Sequence, residues 1–162
     1  MLGLALEDID EGLAVDLGTY QFTTANILAF ARKYDPQPFH LSDEAGLAGP
    51  FGGLSASGWH TASAWMKCYV ATNAAARAKL QSAGRALPEI GPSPGFANLK
   101  WLKPVFPGDV VSYRCRVTAT RELASRPQWG LVFSFNEGFN QHGELVFCFE
   151  GKVFTARRGN LG

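Results

Sequence analysis

The run from Gly58 to Ala83 is rich in alanine and nearly free of helix breakers. Within it Ala62, Trp65, Met66, Tyr69 and Val70 recur at spacings of three and four, so the pattern predicts one long helix with a broad buried stripe. Hydrophobicity fades after Val70, and Gly84 marks the expected end. Everything downstream is different in kind. A Pro- and Gly-rich loop over Pro88–Gly95 leads into four segments rich in Val, Phe, Tyr and Trp: Phe96–Leu102, Asp109–Thr120, Trp129–Gly138 and Glu144–Ala156. These read as strands. Asn140-Gln141-His142-Gly143 is a turn that joins the last two into a hairpin. Upstream, Leu13–Phe22 reads as a strand broken by Gly18, and Thr24 as the cap of a short helix through Lys33. Ser42-Asp43-Glu44 opens a second short helix, and Gly46–Gly53 is read as loop. A strand, helices, then consecutive antiparallel strands make an α+β pattern. Such a sheet needs a cover, and the Gly58 helix is the one long candidate.

The chemistry concentrates just before that helix, in Tyr34-Asp35-Pro36-Gln37-Pro38-Phe39-His40. Each proline fixes its own φ and pushes the preceding residue towards an extended conformation, so the segment is expected to be non-helical and stiff. Held this way, a carboxylate and an imidazole can act together on one water or one proton. The glycine-rich Phe51-Gly52-Gly53-Leu54-Ser55-Ala56-Ser57-Gly58 stretch then enters the long helix, whose N-terminus offers free N–H groups to a developing oxyanion.

Other readings are weaker. Ser55 and Ser57 lack the Gly-x-Ser-x-Gly order of a nucleophile elbow, and capping the helix is the better role for Ser57. The glycines from Gly46 to Gly53 lack any nucleotide-binding pattern. His60, one turn into the helix, is expected to be a packed polar residue, His142 a solvated turn residue, and Trp101 a core or strand-end residue. No two histidines stand at metal-ligand spacing, so a metal is not expected. Cys68, Cys115 and Cys148 are odd in number and widely spaced, which suggests buried thiols and a reducing, cytoplasmic setting. A net charge of +1 without a long basic run argues against nucleic acid. No apolar run approaches membrane-spanning length, and the acidic Met1–Glu11 segment is unlike a signal peptide. At 162 residues and 46% apolar, the chain suits one domain with a real core.

The Asp35–His40 segment resembles the Asp-x-Asn-Pro-x-His signature of MaoC-like, (R)-specific enoyl-CoA hydratases. Asp35, Pro38 and His40 match, while Gln37 replaces the asparagine. Gly58 stands eighteen residues past His40, where the family has the glycine that opens its central helix, although the usual His-Gly pair reads Ser57-Gly58. A third landmark, an aromatic strand before Pro-Val-x-Pro-Gly-Asp, is met by Trp101 to Asp109. The resemblance covers roughly residues 20–157. It implies one hotdog domain over residues 1–162, a sheet wrapped round one central helix. It also implies a homodimer or higher oligomer, and a site facing the helix N-terminus across the dimer interface. It further implies catalysis by Asp35, His40 and the Gly58 N–H, with Gln37, Phe39 and Ser57 beside the substrate. The reaction implied is hydration of trans-2-enoyl-CoA or carrier-bound thioesters, or the reverse dehydration in fatty acid metabolism, without a cofactor. A hotdog acyl-CoA thioesterase and a non-catalytic acyl-thioester-binding protein are the alternatives, because a fold alone does not fix function.

Overall fold

Along β3 (Val110–Glu122) the residues Val111, Tyr113, Cys115 and Val117 are buried while their neighbours face outwards. That period of two is what a strand shows when one face is covered and the other is wet. The computed structural model describes residues 1–89 and 91–160 of the chain. β3 lies inside a five-stranded antiparallel sheet with β1 (Ala14–Gln21), β4 (Trp129–Phe139), β5 (Leu145–Ala156) and β2 (Gly95–Trp101), in the order β1-β3-β4-β5-β2. Two helices, α1 (Thr24–Tyr34) and α2 (Asp43–Leu47), precede the long α3 (Gly58–Ser82). α3 lies in the curve of the sheet, so the expected hotdog arrangement is the one adopted. The main core joins Ala64, Trp65 and Cys68 of α3 to Val111, Tyr113 and Phe147 of the sheet, with Phe22 and Ile27 closing one end. The Tyr113 hydroxyl donates to the Thr61 carbonyl at 2.9 Å and ties the first turn of α3 to β3. No helix among the described residues is long and apolar enough to cross a membrane.

The structure corrects several sequence expectations. Thr23, not Thr24, caps α1, in a reciprocal capping box with Asn26. Gly46 belongs to α2 rather than to a loop. A side chain there would collide with the backbone of Gly53 and Leu54, so a glycine lets α2 pack on the segment that leads into α3. The buried stripe of α3 is also rotated from the expected one. It runs through His60, Thr61, Ala64, Trp65 and Cys68, while Met66 and Val70 stay about half exposed. In the sheet, β4 and β5 are interior strands, and the open edges belong to β1 and β2. All three cysteines are buried free thiols, as expected.

His60 is packed, as its position suggested. Its ring stacks on Phe30 at 4.7 Å and meets Phe22 edge-on at 4.9 Å, and the residue is 4% exposed. Burial in this aromatic nest pushes its pKa down from 6.5 to about 4. A depressed pKa adds stability that is whole above the unfolded value and is lost as pH falls through the folded one. The gap between 6.5 and about 4 corresponds to about 3 kcal/mol lost by pH 4. The urea midpoint of the wild type should therefore fall as pH drops from 6.5 towards 4. In His60→Phe, which keeps the ring contacts and removes the titration, it should stay nearly level. An equally steep decline in that variant would show that another group carries the transition.

Candidate active site

α1 ends at Asp35, whose N–H still bonds the Ala31 carbonyl at 2.9 Å while its own backbone has left the helical region. Pro36 cannot continue the helix because it has no N–H to donate. The chain then closes into a single 3-10 turn over Pro38–His40, with Pro38 in its first position and the His40 N–H on the Gln37 carbonyl at 2.9 Å. The segment expected to be non-helical therefore makes a tight turn across Pro36, where the Gln37 N–H bonds the Asp35 carbonyl at 2.8 Å, before entering the 3-10 turn. Two main-chain bonds dock the entry to α3 beside it. The Ser55 N–H reaches the Phe39 carbonyl at 3.4 Å, and the Ala56 N–H reaches the Val105 carbonyl at 2.8 Å.

This docking brings Asp35, His40 and Ser57 together within one chain. The Ser57 hydroxyl donates to Asp35 Oδ2 at 2.6 Å and accepts from the Trp59 N–H at 3.2 Å, so it also caps α3. Gln37 Nε2 donates to Asp35 Oδ1 at 2.8 Å. His40 is 4% exposed and lies with Nε2 at 3.7 Å from Asp35 Oδ2. Its Nδ1 is 2.7 Å from the Ser55 carbonyl oxygen. A carbonyl only accepts, so Nδ1 carries a proton, and Nε2 is the ring nitrogen that faces Asp35. Desolvation pushes the Asp35 carboxyl up. The hydrogen bonds that Ser57 and Gln37 donate to it are the main opposing influence and hold the group below its ordinary value of 3.8. Asp35 is thus a carboxylate at neutral pH.

Gly58 is the first residue of α3, and its N–H donates to no acceptor among the described residues. A Cβ there would stand 2.6 Å from Trp101 Cε2, and the Trp101 indole N–H bonds the Gly58 carbonyl at 2.8 Å. Trp101 is 44% exposed, so it is a strand-end residue and not a core one. Phe39 lies edge-on to His40 at 4.5 Å and to Phe51 at 5.8 Å, forming an apolar wall beside the imidazole. Sequence reasoning missed the Ser55 carbonyl that sets the His40 tautomer, because every residue carries a carbonyl and no side-chain pattern marks this one. It also missed an apolar cavity of about 360 Å³ between α3 and the inner side of β2, β4 and β5. The cavity begins at Trp59, next to Gly58, and neither Asp35 nor His40 lines it.

Comparison with known proteins identifies the family to which this fold belongs. The MaoC like domain family matches residues 12–128. A MaoC-like dehydratase of known structure from Rhodospirillum rubrum is 35% identical, covering 96% of this chain and 98% of that one with a TM-score of 0.78. An (R)-hydratase from A. caviae involved in PHA biosynthesis shares the fold, with a TM-score of 0.65 at 24% identity over 91% of this chain and 97% of that one. Mesaconyl-CoA hydratase from Cereibacter sphaeroides is 33% identical over 79 residues, 46% of this chain. That match spans only 23% of the hydratase's own length. With most of its length matched by one family and a near full-length structural relative inside it, this chain belongs to the MaoC-like domain family.

Proposed function

We propose that the chain is an (R)-specific hydratase of trans-2-enoyl thioesters, or the dehydratase that runs the same reaction backwards. One observation carries this reading. Asp35 Oδ2, which already accepts from Ser57 and has a further lone pair, and His40 Nε2, in the tautomer with the proton on Nδ1, are two acceptors held 3.7 Å apart, too far to bond each other directly. A water placed between them can give one hydrogen to each, at about 2.6–3.2 Å, and keep a lone pair free for attack. Attack forms the bond from the water oxygen to C3 of the enoyl group, and the pair of electrons from the double bond moves towards the thioester carbonyl. His40 Nε2 takes the proton from the water and returns one to C2 on the same face, which regenerates the neutral ring. Asp35 is the poorer proton acceptor, since both its oxygens already receive hydrogen bonds. Its role is to hold the water and to stabilise the imidazolium. The unpartnered Gly58 N–H at the start of α3 meets the negative charge on the thioester oxygen.

The apolar cavity that starts at Trp59 supplies room for the acyl chain. The names of the relatives, an (R)-hydratase and a mesaconyl-CoA hydratase, support both the reaction class and CoA thioesters as substrates. Gln37 in place of the family's asparagine keeps a hydrogen bond to Asp35, so the substitution is compatible with the same chemistry.

Asp35→Asn should lower kcat/KM for enoyl-CoA hydration by a factor of roughly 10²–10⁴ with the fold unchanged by circular dichroism. Loss of the enoyl chromophore without free-thiol release separates this activity from a thioesterase. Turnover close to wild type in Asp35→Asn would remove the carboxylate from the mechanism.

We also propose that the protein is a homodimer joined along β2. That edge strand bears exposed Phe96 and Trp101, and exposed Trp59, Met66 and Val70 of α3 lie on the same molecule's apolar surface. An apolar open edge of this kind invites a second strand. Sedimentation at micromolar concentration should give twice the chain mass, and a Phe96→Lys variant should shift towards the monomer. A wild-type monomer under those conditions would refute the dimer.

A further inference from the structure

Ser57 is 1% exposed, and both hydrogen-bonding roles of its hydroxyl are taken. Oγ accepts from the Trp59 N–H at 3.2 Å, so its single hydrogen goes to Asp35 Oδ2 at 2.6 Å. That length is the one expected when a hydroxyl bonds an ionised oxygen. The family resemblance implies a place for Ser57 beside the substrate. With almost no exposed surface and no hydrogen to spare, Ser57 is arranged to act on Asp35 instead. Gln37 Nε2 holds the other oxygen, Oδ1, at 2.8 Å. Both carboxylate oxygens thus face donors, an arrangement that fits the ionised group and penalises the acid. The charges around Asp35 point the same way. His40 Nε2 faces it at 3.7 Å, Arg32 and Lys33 occupy the last turn of α1, and the first turn of α3 brings no acidic residue.

We infer that Ser57 is a positioning residue of the hydration reaction, fixing Asp35 Oδ2 as an ionised acceptor aimed at the space in front of His40 Nε2. The inference rests on the hydratase reading for the reaction itself. Oδ2 is the oxygen that both Ser57 and His40 face. Rotation of the carboxylate would carry it away from His40 and break the geometry that lets one water meet both groups. Ser57 and Gln37 oppose that rotation from the two oxygens. Gln37 is exposed, so water can replace its amide, whereas nothing replaces the buried hydroxyl of Ser57. The buried donor therefore carries the larger share. A carboxylate that is turned or protonated offers the water no acceptor and the imidazolium no counter-charge. Misplacement of a reacting group by 1 Å costs a factor of about 10².

The test uses the full chain and the trans-2-enoyl-CoA that the wild type hydrates best. Ser57→Gly removes the donor and leaves the helix cap nearly as good, because glycine is tolerated at that position. Ser57→Ala removes the same donor and gives the same comparison should the glycine variant not fold. Either substitution should lower kcat at least about tenfold with KM within about twofold, the split expected when an interaction made only in the transition state is lost. Placed in the Asp35→Asn protein, the same substitution should change kcat by less than about twofold, since the group it acts through is gone. A carbon-13 titration of the Asp35 carboxyl should move upward in Ser57→Gly. Three results would each overturn the inference: unchanged kcat in both Ser57 variants, an equal loss with and without the Asp35 carboxylate, or an Asp35 titration that does not move. The equal loss would assign Ser57 to the start of α3 alone. All three leave hydration by the wild type in place and so spare the hydratase reading. That reading fails instead if the wild type hydrates no enoyl thioester, and the inference falls with it.

Discussion

The hydroxyl of Ser57 bonds in two directions, and the geometry of the site depends on it. As an acceptor it caps the Trp59 N–H and fixes where α3 begins; as a donor it holds Asp35 Oδ2 at 2.6 Å. The side chain is almost wholly buried, so water does not compete for either bond. The carboxylate is thereby held beside the positive end of a long helix, an environment that favours its ionised form. The same backbone stretch orients the imidazole, since the Ser55 carbonyl takes the His40 Nδ1 proton two residues earlier. One short segment, Ser55–Ser57, therefore sets the position of the carboxylate and the tautomer of the imidazole together. Moving either would require moving the start of α3.

The start of α3 is fixed from the other side by β2. Trp101 covers Gly58 so closely that no side chain fits beneath it, and its indole N–H takes the Gly58 carbonyl. Glycine is needed here for packing, and that need is compatible with its N–H remaining open for a substrate oxygen. That contact accounts for the glycine by packing alone. Because Trp101 ends an edge strand, any contact that a second chain makes along β2 bears directly on the first turn of α3.

What the sequence made legible was mostly local. The length of α3, its Ser57 cap and the five strands follow from spacing, capping chemistry and composition, which act over a few residues. Asp35 and His40 stood out because prolines stiffen the segment between them and because their order matches a family signature. The less legible features are set by distant parts of the chain. The face of α3 that is buried depends on how the sheet curves around it, and Met66 and Val70 are as apolar as the residues inside. The interior place of β4 and β5 comes from the order β1-β3-β4-β5-β2, in which β2 crosses to the far side of β5. Ser57 was half legible. Its role as a cap is written in its neighbours, but its bond to Asp35 spans 22 positions and no local pattern announces it.

Two buried polar atoms on α3, His60 Nδ1 and Trp65 Nε1, are unpartnered among the described residues. The His60 ring is enclosed by Phe22, Phe30 and Tyr20. The Trp65 ring stacks on Tyr69 at 5.0 Å and meets Phe149 edge-on at 4.7 Å. Each such buried atom costs about 1–3 kcal/mol if nothing bonds it. At both positions the ring contacts offset that cost. The buried face of α3 is therefore held to its surroundings by aromatic packing at these two residues, and the polar atom each ring carries is tolerated because the ring around it packs well.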